Sequence, residues 1–96
     1  MGPIRLGDHC TVSQGAHLCG GSHDVDSSNF QLVAGSINIE QHVWICAEAF
    51  VGLNVRIAEG IVVGARAVVM RDLKEPWCVY AGVPARRIRE RRGLQR

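Results

Sequence analysis

The chain has 96 residues, of which 47% are hydrophobic, 21% charged and 5% aromatic, a balance that excludes disordered and collagen-like chains and leaves room for one small domain. Its net charge of +2 hides an asymmetry, because residues 71–96 hold eight basic side chains against three acidic ones while the remainder is acidic. A chain this short buries only about 60% of its unfolded surface on folding, so self-association is expected.

The first residues, Met1 Gly2 Pro3 Ile4 Arg5 Leu6 Gly7, lack the apolar run of a signal peptide. The most apolar stretch, Ile61 to Met70, is cut by Arg66 and ends against Arg71 and Asp72, too soon for a membrane span. A cytoplasmic protein is therefore expected. Cys10, Cys19, Cys46 and Cys78 are irregularly spaced and read as reduced thiols.

From Leu6 onward the chain repeats every six residues. Leu6, Val12, Leu18, Val33, Ile39, Ile45, Val51, Ile57, Val63 and Val69 take the first position of successive hexads, and all are branched aliphatics. The fifth position is small or aliphatic, from Cys10 and Ala16 through Val55 and Ile61 to Leu73, and the second is mostly small, with Glu40 and Met70 as exceptions. Six matches neither the 3.6-residue helix nor the two-residue strand alternation, but it suits a short strand followed by a corner. Such a chain coils, stacking each hexad on its equivalent in the next coil about 4.8 Å away, with first and fifth residues inward and a small second residue where coils crowd. The expected architecture is an all-β parallel β-helix in a single domain over 1–96. Its coils run from about 4 to 74, and a C-terminal strand and short basic helix fill 75–96.

Fifteen residues, one hexad and nine more, separate Leu18 from Val33. The extra nine, residues 24–32, are mostly polar and are expected to leave the coil as a loop. His23 stands at its head, where an imidazole could act as a general base near neutral pH or simply cap a turn. His9, His17 and His42 fall at outward or corner positions. His9, Cys10, His17, Cys19 and His23 lie close in sequence, but the repeat turns Cys10 inward and puts Cys19 at a corner, so no metal site is expected. For the same reason Cys19 reads as packed and not as a nucleophile activated by His23. After Pro84, a helix-starting residue, Arg86 and Arg89 are spaced to share a helix face. No aromatic residues interleave with these arginines, which argues against nucleic-acid binding.

The runs Ile39 Glu40 Gln41 His42 Val43 Trp44 Ile45 Cys46, Gly52 Leu53 Asn54 Val55 Arg56 Ile57 and Val63 Gly64 Ala65 Arg66 Ala67 Val68 Val69, with the ending Tyr80 Ala81 Gly82 Val83 Pro84 Ala85, resemble the hexapeptide-repeat acyltransferases. Within that superfamily the chain is most similar to the sugar O-acetyltransferases of the galactoside, maltose and colanic-acid type, over residues 6–89. The resemblance implies a left-handed β-helix of triangular section assembled as a homotrimer. It also implies transfer of an acetyl group from acetyl-CoA to a hydroxyl of a sugar or polysaccharide, with His23 as the base and no metal. By the same resemblance Ala47, Ala65, Met70, Arg71, Arg86 and Arg89 contact the coenzyme. Ala47 stands where serine is frequent, so a backbone role remains there, and Met70 Arg71 stands where Thr-Lys is usual. Family enzymes carry further coils upstream that supply acceptor contacts. The alternative expectation is a catalytically silent, truncated trimeric scaffold that still binds CoA.

Overall fold

The computed structural model describes residues 3–19, 21–23 and 32–92, with the backbone alone at 21–23 and 32–34. Each hexad there forms one side of a triangular coil. The first coil is β1 (Ile4–Leu6), β2 (Thr11–Val12) and β3 (His17–Leu18). A hairpin of β4 (Gly21–His23) and β5 (Leu32–Ala34) follows. The second coil is β6 (Ile37–Ile39), β7 (Trp44–Ile45) and β8 (Phe50–Val51), and the third is β9 (Val55–Ile57), β10 (Val62–Val63) and β11 (Val68–Val69). Equivalent strands pair in parallel, giving three faces: β1-β6-β9, β2-β7-β10 and β3-β8-β11, called faces A, B and C. A Leu73 bridge to Ile57 begins a fourth coil, and β12 (Cys78–Ala81) continues face B.

The inward columns are those read from the repeat. First-position Ile39, Ile45, Val51, Ile57, Val63 and Val69 and fifth-position Ile37, Val43, Ala49, Val55, Ile61, Ala67 and Leu73 are all buried in one cluster. At the first coil the columns end among the described residues, and Leu6 and Val12 stay 49% and 41% exposed. The small second position has the expected cause. A Cβ on Gly7 would stand 2.5 Å from Gln41 N, and one on Gly64 would stand 3.0 Å from the Ala81 Cβ.

The corners use the third and fourth positions, and the fourth is left-handed. His9, His42, Glu48, Asn54 and Arg66 have φ of 60°, 62°, 59°, 59° and 60°. A positive φ at the second central residue defines a type II turn, which normally asks for glycine or asparagine. Backbone bonds between coils hold these corners against that preference: His42 N–H donates to the Asp8 carbonyl (2.9 Å), Gly60 N–H to Gln41 (3.0 Å) and Arg66 N–H to Ala47 (3.0 Å).

One expectation needs revision, and another falls mostly outside the described residues. The excursion expected over 24–32 is bracketed by β4 and β5. Its arms pair with each other, Gly21 with Ala34, Ser22 with Val33 and His23 with Leu32, and the coil resumes only at Ile37. Residues 24–31 lie outside the described residues. The expected C-terminal helix is absent: Arg86–Glu90 form strand β13, antiparallel to β12, and Pro84 sits in the turn before it after a cis Val83–Pro84 bond. Five residues are too few for a stable isolated helix, whereas the open edge of β12 offers a full ladder of partners.

Just past β13, Arg91 acts as a staple. Its N–H donates to the Trp77 carbonyl (2.8 Å), and its guanidinium donates to the carbonyls of His42 (3.1 Å) and Gly60 (2.9 Å) while lying 5.7 Å from the Trp77 ring centre. Arg91→Ala is expected to lower stability by about 2 kcal/mol, measured by urea denaturation, because two charge-assisted bonds to backbone disappear together.

Candidate functional site on two edges of the prism

The outward row of each face is the sixth hexad position, and the three rows differ in chemistry. Face A presents Arg5, Asn38 and Arg56, and face C presents His17, Phe50 and Val68. Face B presents Thr11, Trp44, Val62 and Val79, in register with Arg89 of β13. Two largely apolar faces therefore meet at the edge between B and C, while face A is charged.

Ala47 and Ala65 occupy that edge. Both are exposed third-position turn residues, one coil apart, and the Arg66 N–H donation to Ala47 is what joins their turns. Among the described residues no backbone carbonyl accepts from the Ala47 N–H. The neighbouring fourth positions are tied by an exposed ion pair, Arg66 Nε to Glu48 Oε1 at 2.9 Å.

Met70 and Arg71 lie on the other edge of face C, where it hands over to face A. With Val69, Leu73, Pro84, Ala85 and Arg86 they line a hollow of about 330 Å³. Among the described residues neither Arg71 nor Arg86 has a carboxylate within ion-pair distance, whereas Arg56, Arg66 and Arg87 are paired with Glu40, Glu48 and Glu75. Two uncompensated guanidiniums at one hollow favour an anion. The hairpin that begins at β4 leaves the coil from this same edge, two coils away. His23 closes β4 opposite Leu32, and its side chain lies outside the described residues.

Arg86 and Arg89 share no helix face, as there is no helix. Three residues apart on a regular strand they would point to opposite sides, but the ladder shifts so that Tyr80 pairs with Arg87 and Val79 with Arg89, leaving Ile88 as an extra residue. This bulge puts Arg86 and Arg89 in register with the outward-facing Ala81 and Val79. They still line different hollows: Arg89 joins Trp44, Val62, Val79, Arg91 and Arg92 in a groove of about 250 Å³ on face B.

The remaining histidines are at the surface or in corners. His9 stacks on His42 at 5.0 Å, and His17 on Phe50 at 5.5 Å. Cys10 turns inward and donates to the Glu40 carbonyl. Burial pushes the Cys46 thiol up, which favours its protonated form. Among the described residues no group of three or more His, Cys, Asp or Glu side chains is placed to hold a metal ion, and no helix is long and apolar enough to cross a membrane.

Sequence reasoning did not single out Trp44. It is 45% exposed on face B, and its indole N–H donates to Ser13 Oγ at 3.0 Å. A tryptophan at an outward hexad position was the available signal, since large aromatic surface left in water usually serves an interaction.

Comparison with known proteins agrees with this architecture. No protein-family model matches the chain. It is 42% identical over 91 residues to the colanic acid biosynthesis acetyltransferase WcaF of Escherichia coli, covering 95% of this chain and 50% of that protein. Among solved structures, a galactoside acetyltransferase in complex with coenzyme A superposes with a TM-score of 0.85 at 31% identity, covering 91% of this chain and 44% of that one. A hexapeptide-repeat acetyltransferase of Vibrio cholerae complexed with acetyl-coenzyme A gives 0.84 at 30% identity, covering 91% and 49%. The homologues are thus hexapeptide-repeat acetyltransferases, and the fold is their left-handed parallel β-helix. The chain spans about half the length of the curated relatives it matches.

Proposed function

We propose that this chain, as a homologue of the hexapeptide-repeat acetyltransferases, forms the donor-binding and catalytic part of a CoA-dependent O-acetyltransferase acting on a sugar or polysaccharide hydroxyl. The acceptor hydroxyl gives its proton to His23 as it attacks the thioester carbonyl of acetyl-CoA. The resulting tetrahedral oxyanion is met by the Ala47 N–H. Collapse expels the CoA thiolate, which takes up a proton, and leaves the acetyl ester without a covalent enzyme intermediate. Ala65 borders the pantetheine arm, and Arg71, Arg86 and Arg89 serve the phosphates. Chemistry of this kind needs no metal. The protein acts in the cytoplasm.

The observation that carries this reading is the division of the candidate residues between the two edges of face C. Ala47 and Ala65 stand on one, while Met70, Arg71, Arg86 and the root of the His23 hairpin stand on the other. About five residues of extended chain, roughly 16 Å, separate them. One donor molecule touching both sets therefore requires two copies, the edge of one facing the opposite edge of the next. Such a head-to-tail contact forms a ring when its rotation closes, and a homotrimer suits a three-sided prism whose apolar faces B and C flank one edge.

The test is acetyl-CoA-dependent thiol release across a panel of sugars and polysaccharides. His23→Gln is expected to lower kcat by about 10²- to 10⁴-fold with donor KM little changed. Mixing it with a variant defective only at Ala47 is expected to restore part of the activity, because a mixed assembly contains some intact pairs of edges. CoA binding with no turnover on any acceptor would replace this reading with that of a silent scaffold, and a stable monomer in solution would overturn the shared site.

A further inference from the structure

The hollow between Met70, Arg71 and Arg86 holds one group whose chemistry the proposed reaction does not use, the Met70 thioether. Met70 is 59% exposed, and apart from Met1 it is the chain's sole methionine. The end of its side chain lies on the bare face of a glycine: a Cβ on Gly52 would stand 2.8 Å from Met70 Sδ and 3.1 Å from its terminal methyl. That contact closes one side of the sulfur. Met70 also lines the hollow together with the two guanidiniums that lack carboxylate partners among the described residues.

We propose that Met70 is a site of reversible oxidation that controls anion binding in this hollow. A hydroperoxide transfers one oxygen to the thioether sulfur, oxidising it by two electrons, while the peroxide O–O bond breaks and leaves as an alcohol or water. The product is methionine sulfoxide, which is polar, chiral and a strong hydrogen-bond acceptor. Gly52 leaves no room on its side, so the new oxygen projects into the hollow, where Arg71 and Arg86 donate to it. The guanidiniums that would meet a phosphate are then occupied, and the hollow is narrower by one atom. This inference rests on the proposed function for its consequence, weaker donor binding, but not for the oxidation itself.

The experiment treats the full chain with hydrogen peroxide, then with a thiol to return the four cysteines, and reads three signals. Peptide mass spectrometry is expected to show an oxygen gained at Met70 at a rate near that of an exposed methionine. CoA affinity, by equilibrium dialysis, is expected to weaken about tenfold, the equivalent of one charge-assisted bond, and to recover on treatment with methionine sulfoxide reductases. Met70→Leu, whatever its starting affinity, is expected to keep that affinity through the same treatment, and Met70→Gln to bind as weakly as the oxidised protein. Oxidation at Met70 with unchanged CoA affinity would overturn the inference while leaving the proposed function standing. Absence of CoA binding before any peroxide is added would overturn both, and a protein that binds CoA, loses it on oxidation, yet transfers no acetyl group would uphold the switch and sink the enzyme.

Discussion

Gly60→Val is expected to destabilise the protein by about 4 kcal/mol, most of the margin of a typical small domain. Gly60 has φ of +73°, so any side chain there adopts a left-handed backbone, and a β-branched one does so at its worst. The added Cβ would also land inside the indole of Trp77. That ring has little freedom to yield, being set against His42 at 5.8 Å and covered by the Arg91 guanidinium at 5.7 Å. Gly15 separates the two causes. Its φ is +75°, the same corner conformation, but the one tight contact of a Cβ there would be the Cγ of Glu48 at 3.0 Å, on an exposed side chain, with that residue's backbone in ordinary contact at 3.8 Å. Gly15→Val is therefore expected to cost only the backbone part, about 1–2 kcal/mol. Urea midpoints of the two variants, with unchanged m-values, measure the difference. Equal losses would mean that Trp77 moves aside without cost.

The second large effect is catalytic. Ala47→Pro is expected to leave the fold intact and to lower kcat for acetyl transfer by about 10²- to 10³-fold, the cost of removing one oxyanion donor. Proline is usually destructive in a β structure because it deletes a ladder bond. Here it falls at the first central position of a turn whose second central residue, Glu48, has φ of 59°, the place where a type II turn prefers proline. Cys46, the residue before it, follows strand β7 and suits the extended conformation that proline imposes on its neighbour. No backbone carbonyl among the described residues accepts from the Ala47 N–H, so only a ligand should miss it. Urea denaturation checks the fold, and steady-state kinetics at saturating donor checks the rate. A folded variant with full activity would remove Ala47 from the mechanism, while Ala47→Ser, which keeps the N–H, is expected to remain active.

Much of the architecture was legible because burial imposes a period. Each coil must turn two side chains per side toward one shared interior, so the aliphatic residues at first and fifth positions record the coil directly, from Ile37 to Leu73. The small second position was legible for a related reason, as crowding between coils at Gly7 and Gly64 forbids bulk. Where the partner is not the interior, the record fades. Arg86 and Arg89 carry helix-like spacing, yet an exposed segment has no inward pattern of its own, and the unpaired edge of β12 decided that it became a strand. Val33 fits the aliphatic column in number but pairs with Ser22 in the hairpin, because a branched aliphatic residue suits a hairpin arm as well as a coil. The left-handed corners at His9, His42, Glu48 and Arg66 were hidden as well, since backbone bonds from neighbouring coils hold a conformation that these residue types disfavour on their own.

The candidate site follows the same division. Residue identity marks which groups can move a proton or hold phosphate, so His23 and the arginines could be named from the chain, and the family resemblance added Ala47. What the chain could not say is which of them share an edge. Positions eighteen residues apart become neighbours through stacking, so Ala47 meets Ala65. Positions six apart are sent to different edges by each corner, so Ala65 and Arg71 part company although they are close in sequence. Sequence alone determined the coil, because one buried face repeats with every strand. Only the tertiary structure decided that these candidate residues stand on different edges, because edges are assigned by the count of corners between residues and by the hairpins that interrupt that count.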